Sequence, residues 1–107
     1  MNNEEIAVLT KMSKELTVNN YCETIKFESR SFIVVFEDGR KLEVPYKHYP
    51  RLMLATKEER ESYGVCGNTI HWECIDEDID TTHLLLGRKS QEALSSFAQW
   101  VIDHKKA

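Results

Sequence analysis

The chain has 107 residues, of which 41% are hydrophobic and 30% charged, and its formal net charge is −4. That length holds one domain of ordinary size around a single core, and the composition is that of a soluble globular protein. No apolar run approaches the roughly 18 residues that span a bilayer, the acidic start Met1-Asn2-Asn3-Glu4-Glu5 lacks the basic region of a signal peptide, and three cysteines at wide spacing form neither a disulfide framework nor a CxxC pair, so the expectation is a cytoplasmic protein.

In chain order, Glu4 to about Leu16 reads as a helix, because Ile6, Leu9, Met12 and Leu16 recur at spacings of three and four. Asn2 or Asn3 can cap it, and Glu4 and Glu5 sit where the helix dipole favours acids. Thr17-Val18-Asn19-Asn20 ends it. A meander follows. Cys22 to Glu28 alternates, Ser29-Arg30-Ser31 turns, and Phe32-Ile33-Val34-Val35-Phe36 is a continuously apolar strand. Asp38-Gly39 is a strong hairpin signal, Lys41 to Val44 alternates as a third strand, and Pro45 stops it.

A two-residue loop at Asp38-Gly39 would pair Val35 with Leu42 and Ile33 with Val44, all on one face. A two-residue loop at Ser29-Arg30 would pair Phe27 with Phe32 and Ile25 with Val34 on the other face. Both faces of the sheet would then be apolar and need cover by helices, which gives the expected fold class: α+β, a small antiparallel β-meander with helices packed against it. The remaining elements supply those helices. Pro50 opens a short one. Thr56-Lys57-Glu58-Glu59 is a capping box for another, running to about Tyr63. Gly64 ends it, Gly67-Asn68 turns the chain, and Ile70 to Ile75 is a short strand. Thr81 or Thr82 caps a helical turn closed by Gly87. Ser90 caps a long C-terminal helix, with Gln91 and Glu92 in its first turn and a stripe of Leu94, Phe97, Ala98 and Val101. The expected organisation is one domain over residues 1–107, with an N-terminal helical extension at 1–20 and the C-terminal helix at 89–107.

Charge is uneven. Between Lys57 and Asp80 eight acids face two bases, a balance of −6 that leaves +2 for the rest. The acids peak at Asp76-Glu77-Asp78, with Asp80 after Ile79. Asp76, Asp78 and Asp80 have the spacing that opens an EF-hand loop, but the sixth position is Thr81 rather than glycine and the twelfth is Gly87 rather than glutamate. The bland alternative is a turn whose acids face water or cap the next helix. His71, His83, Cys66 and Cys74 match no zinc spacing. Cys74 lies between Glu73 and Asp76, which raise rather than lower a thiol pKa, so cysteine–histidine catalysis is disfavoured. Lys47, His48, Tyr49 and Arg51 form a small basic and aromatic patch that can stack on nucleic acid; the plainer reading has Tyr46 and Tyr49 under the sheet and Lys47 and Arg51 solvated.

The order of features from residue 24 to 88 resembles the DUF2442 family of small bacterial proteins of unknown function. The resemblance rests on Phe36-Glu37-Asp38-Gly39-Arg40, Val44-Pro45, Tyr49-Pro50-Arg51-Leu52, Ala55 to Arg60, Ile70-His71-Trp72, Ile75 to Ile79 and Leu85-Leu86-Gly87. It implies a small α+β core and, because members often lie beside another short protein, a toxin–antitoxin-like pairing. It brings no catalytic residues.

The expected function is accordingly a non-catalytic protein-interaction module: an antitoxin-like or regulatory partner acting through an acidic surface, or a phage- or mobile-element-encoded inhibitor of a host nucleic-acid-targeting defence enzyme. Its expected partner-binding residues are Trp72, Glu73, Asp76, Glu77, Asp78 and Asp80, its partner a protein with a basic surface, and no metal, cofactor or membrane is called for. The alternatives are a nucleic-acid-binding regulator, which requires Arg30, Arg40, Lys41, Lys47, Arg51, Arg88 and Lys89 to converge, and a small metal-dependent enzyme. Homodimerisation through an edge strand or the C-terminal helix stays open.

Overall fold

The computed structural model describes residues 2–16 and 19–106. The side chains of residues 10–16 and 105–106 lie outside that description, as does the Thr17-Val18 part of the expected first helix end. Helix α1 spans Asn3–Leu16, as its periodicity predicts. Asn2 caps it: its Oδ1 accepts from the Glu5 N–H at 2.8 Å, and its amide donates to the Glu5 carboxylate at 3.2 Å. The apolar side chains of Val8 and Leu9 are about half exposed. The molecule is long, 67 × 24 × 21 Å, with a radius of gyration of 18.1 Å; a compact chain of this length has about 13 Å.

Strands β1 (Cys22–Phe27), β2 (Ser31–Phe36) and β3 (Lys41–Pro45) form an antiparallel sheet in that order. The first hairpin has the expected register, Phe27 opposite Phe32 and Ile25 opposite Val34. The second is shifted by one residue: Val34 faces Leu42, Phe32 faces Val44, and Ile33 faces Glu43. The loop is not the two-residue Asp38-Gly39. Phe36 N–H bonds to the Arg40 carbonyl at 2.8 Å, so Glu37, Asp38 and Gly39 all lie in the connection, with Gly39 at φ +92°. A one-residue slip moves a strand's side chains to the opposite face. Val44 therefore joins Phe32, Val34 and Phe36 in the core. Ile33 and Val35 keep a half-buried outer face, each flanked by polar partners: Lys26 and Glu43, Thr24 and Lys41. The aliphatic stems of those lysines can cover apolar neighbours while their ammonium groups stay wet. The sheet thus has one core face, not two.

A second antiparallel sheet supplies the cover. It comprises β4 (Gly64–Cys66), β5 (Thr69–Trp72) and β6 (Glu77–Asp80), in that order. The Gly67-Asn68 turn joins the first pair, with Gly67 at φ +58°. The expected strand Ile70–Ile75 stops at Trp72; Glu73–Ile75 make a 3₁₀ turn, and Asp76 adopts a left-handed φ of 50°. The acidic run is then a strand rather than a turn, because Ile79 anchors it opposite Ile70 in the core. Phe32 bridges the sheets, stacked on Tyr46 at 5.8 Å and edge-on to Trp72 at 6.4 Å.

Between the sheets run α2 (Pro50–Leu54) and α3 (Lys57–Glu61). Both halves of the Thr56–Glu59 capping box form, at 3.1 and 2.8 Å, and the helix ends two residues before Tyr63. Helix α4 (Thr81–Leu85) is capped by Asp80 instead of a threonine, since its carboxylate accepts from the Thr82 and His83 N–H groups. The last helix, α5 (Leu94–Lys106), begins four residues after Ser90. Ser90 does accept from the Glu92 N–H, but the Glu92 side chain is bonded to Arg51, and 88–93 form neither helix nor strand. The buried stripe is correspondingly displaced from the expected one. Phe97, Trp100, Val101 and His104 turn inward, whereas Leu94 is 82% exposed.

Candidate functional site

A cleft of about 730 Å³ lies between β6 and the irregular segment 88–92. Four hydrogen bonds hold the segment in place. Tyr49 donates its hydroxyl to the Arg88 carbonyl at 3.0 Å, the Ser90 N–H bonds to the His48 carbonyl at 3.0 Å, and Arg51 grips the Glu92 carboxylate with two nitrogens, Nε at 2.9 Å. Arg51 also donates to the carbonyls of Ile75 and Asp76 at 3.2 and 3.0 Å and lies 5.1 Å over the Trp100 ring. One guanidinium, its fork matched to a carboxylate, therefore ties α2, the approach to β6, segment 88–92 and α5 together. The Arg51 and Glu92 side chains are only 13% and 15% exposed. Their bond lowers the Glu92 pKa and raises that of Arg51.

The acids expected to share one binding face divide among different tasks. Trp72 is not on that face: it is fully buried, and its indole N–H donates to the Arg60 carbonyl at 2.9 Å. Its size and the alternation of β5 carry it into the core, where no partner can reach it. Glu73 is exposed but outside the cleft. Asp76, Glu77, Asp78 and Asp80 all line the cleft. Within it Asp76 is open to solvent, so its 3.8 Å approach to Arg51 is a weak pairing. Asp78 pairs with His71 across the sheet and raises the histidine's pKa, mainly through their hydrogen bond. Asp80 is committed to capping α4.

Glu77 is the unusual member. Its side chain stands on the Ile79 side of β6, half-buried. Burial pushes its pKa up to about 7; Glu92 and Asp78 add to the rise, and Arg51 opposes it without cancelling it. The Arg51 charge is already shared with Glu92. The folded protein thus binds the Glu77 proton more tightly than the unfolded chain, whose ordinary value is 4.5. Its contribution is complete below pH 4.5 and is lost as pH rises through about 7. We expect wild type to lose about 1–2 kcal/mol more stability than Glu77→Gln between pH 5 and pH 8, the range discounted for partial solvent access. Urea unfolding of both proteins at the two pH values measures it; equal losses would place Glu77 in solvent.

The other candidates also resolve. Asp78 and Asp80 lie on the extended strand β6, where alternate residues are about 6.6 Å apart, and Asp76 sits before it at a left-handed φ of 50°, so the three do not wrap one cation as an EF-hand loop does. Among the described residues no three His, Cys, Asp or Glu side chains gather to hold a metal. Cys22 is buried, Cys66 and Cys74 are exposed, and burial followed by Glu59 raises the Cys74 pKa. Arg51 is not solvated as the plain reading of its patch supposes. Sequence reasoning placed Tyr49 and Arg51 in a basic and aromatic patch rather than at this cleft and missed Glu92 as a site residue, since their partners lie 24 to 41 residues away along the chain. The only local hint was the Tyr49-Pro50-Arg51 opening of α2.

Among the described residues no helix is long and apolar enough to cross a membrane. No curated protein matches the chain. Two solved structures share its fold, each with a TM-score of 0.59. One is a protein of unknown function from Rhodospirillum rubrum, 22% identical, with 69% of this chain and 94% of that one covered. The other is an uncharacterised protein from Chromobacterium violaceum solved in solution, 18% identical, with 97% of this chain and 94% of that one covered. The profile of the DUF2442 family, proteins of unknown function, matches residues 23–90, which takes in both sheets and the cleft-forming strand β6, and the chain belongs to that family.

Proposed function

We propose that this chain is a non-catalytic protein-interaction module of the cytoplasm, an antitoxin-like or regulatory partner that offers the β6 wall of its cleft to a basic segment of another protein. The observation that carries this reading is the composition of that wall: four acids within five consecutive residues, beside an arginine whose charge is already taken by Glu92. Such a wall attracts and orients a cationic partner. The nucleic-acid reading has less support. Arg30 and Arg40 sit at opposite ends of β2, about 20 Å apart at strand rise, Arg40 is paired with Asp38, and Arg51 is paired with Glu92.

Charge reversal at the two exposed acids tests the proposal. Asp76→Lys/Asp78→Lys is expected to keep the protein folded at a cost of about 1–2 kcal/mol, since lysine suits the left-handed φ of position 76 less well than aspartate, and His71 loses its partner. The same variant should lose at least tenfold of the partner recovered by affinity capture from the producing cells, quantified by mass spectrometry. Undiminished recovery would exclude the acidic wall. Glu77 is unsuitable for this test because a lysine there would disturb the half-buried floor.

A further inference from the structure

Five consecutive residues, Asp76 to Asp80, line the cleft. A sheet face would contribute only alternate residues, so the cleft runs along the edge of β6. That edge is open because β6 is the outer strand of its sheet. Hydrogen bonds in an antiparallel ladder alternate, and only every second residue bonds to a given neighbour. Two observations set the phase. The Gly67-Asn68 hairpin makes Cys66 and Thr69 a bonded pair, so Thr69 and His71 turn their backbone groups to β4 and Ile70 and Trp72 turn theirs to β6. Independently, the Thr81 N–H bonds to the Asn68 carbonyl at 2.8 Å, in step with Ile79–Ile70 and Glu77–Trp72. By both routes the N–H and C=O of Asp78 and the N–H of Asp80 point away from β5, into the cleft. The Asp78 N–H leans on the Glu77 carboxyl, and the Asp78 carbonyl and Asp80 N–H face the cleft.

The other edges are blunted in ways known to discourage strand addition. The Ile25 N–H of β1 is occupied by the Tyr63 hydroxyl at 3.0 Å. Strand β3 opens on Lys41 and closes on Pro45, which has no N–H. Strand β4 has only three residues.

We propose that β6 binds an extended, lysine- or arginine-bearing segment of a partner protein by strand addition, with backbone bonds to the Asp78 carbonyl and the Asp80 N–H and basic side chains directed to Glu77 on one face or Asp78 on the other. This rests on the acidic-wall reading and adds the geometry of recognition. Main-chain bonds supply affinity in such complexes, and alternate side chains supply specificity. Glu77 and Asp78 project to opposite faces of the strand, so a segment with a base at every second residue finds a carboxylate in either register. A cation beside Glu77 would also provide the counter-charge that its half-buried carboxyl lacks.

The test uses the full chain and two hexapeptides of alternating Lys and Thr, one plain and one N-methylated at every residue, so that the donors are lost in either register. Each is titrated into isotope-labelled protein and followed by amide NMR. Strand addition predicts shifts centred on residues 77–80 and 88–92, cross-strand contacts from peptide protons to the Asp78 amide, and at least tenfold weaker binding of the methylated peptide, which keeps its charge and loses those donors. Equal binding of both peptides, abolished for both by Asp76→Lys/Asp78→Lys, would overturn strand addition and leave the acidic wall standing. Binding that survives the reversal, or shifts centred elsewhere, or no binding of either peptide, would overturn both.

Discussion

Truncation of Trp72 to alanine is expected to cost about 3–5 kcal/mol, a large share of the roughly 5–15 kcal/mol that stabilises a domain of this size. The side chain is fully buried and meets Phe32 edge-on at 6.4 Å and Tyr63 at 6.1 Å. Its removal leaves a cavity at the junction of the two sheets and deprives the Arg60 carbonyl of the indole N–H. Trp72→Phe should separate these losses. It keeps much of the ring volume and forfeits the hydrogen bond, for an expected 1–3 kcal/mol, about the cost of one unsatisfied buried acceptor plus a smaller void. Urea unfolding followed by circular dichroism gives both values. A cost under about 1 kcal/mol for the alanine variant would be typical of a surface position and would return Trp72 to the list of partner contacts.

Arg51→Ala should be the second most damaging change. Removing one member of a buried ion pair leaves the other charge uncompensated, typically at about 3–5 kcal/mol. Here the stranded group is Glu92, 15% exposed, and the same change deprives the Ile75 and Asp76 carbonyls of their donor and the Trp100 ring of its cation. The damage should therefore spread. The Trp100 indole resonance should broaden or shift as α5 loosens, even though Trp100 is 49 residues distant in sequence. The double variant Arg51→Met/Glu92→Leu removes both charges while roughly keeping volume, and should recover much of the loss, since hydrophobic replacement of a buried pair is often neutral. A double variant as unstable as Arg51→Ala would show that the carbonyl bonds, not the ion pair, hold this corner.

Local signals account for much of the architecture. The Asn2 cap and spacing of Ile6 and Leu9 predict α1. Thr56 and Glu59 predict the capping box, both of whose reciprocal bonds form. The Gly67-Asn68 turn, Pro50 at the start of α2 and Gly87 at the end of α4 are likewise written in neighbouring residues, because caps and turns depend on backbone angles and bonds spanning a few positions. The family was legible from motifs spread over the core, and the acidic run was visible as a concentration of charge.

Register and burial were not local. Asp38-Gly39 suits a two-residue or a three-residue loop, and only packing decides which; the three-residue loop wins because it brings Val44 beside Phe32 in the one core. Glu77-Asp78-Ile79-Asp80 has poor strand propensity, yet Ile79 opposite Ile70 makes it a strand, since burial of an isoleucine outweighs weak local preferences. The site follows the same rule. Charge in the sequence marked Asp76 to Asp80, and an acid capping the next helix was legible locally, but tertiary contacts alone buried Trp72, raised the Glu77 pKa and joined Arg51 to Glu92 across 41 residues. Chain composition determined which charges this protein carries and which short elements it forms. Long-range packing decided which of those charges face solvent, which are neutralised, and which strand edge stays open, because burial and pairing exist only once distant segments meet.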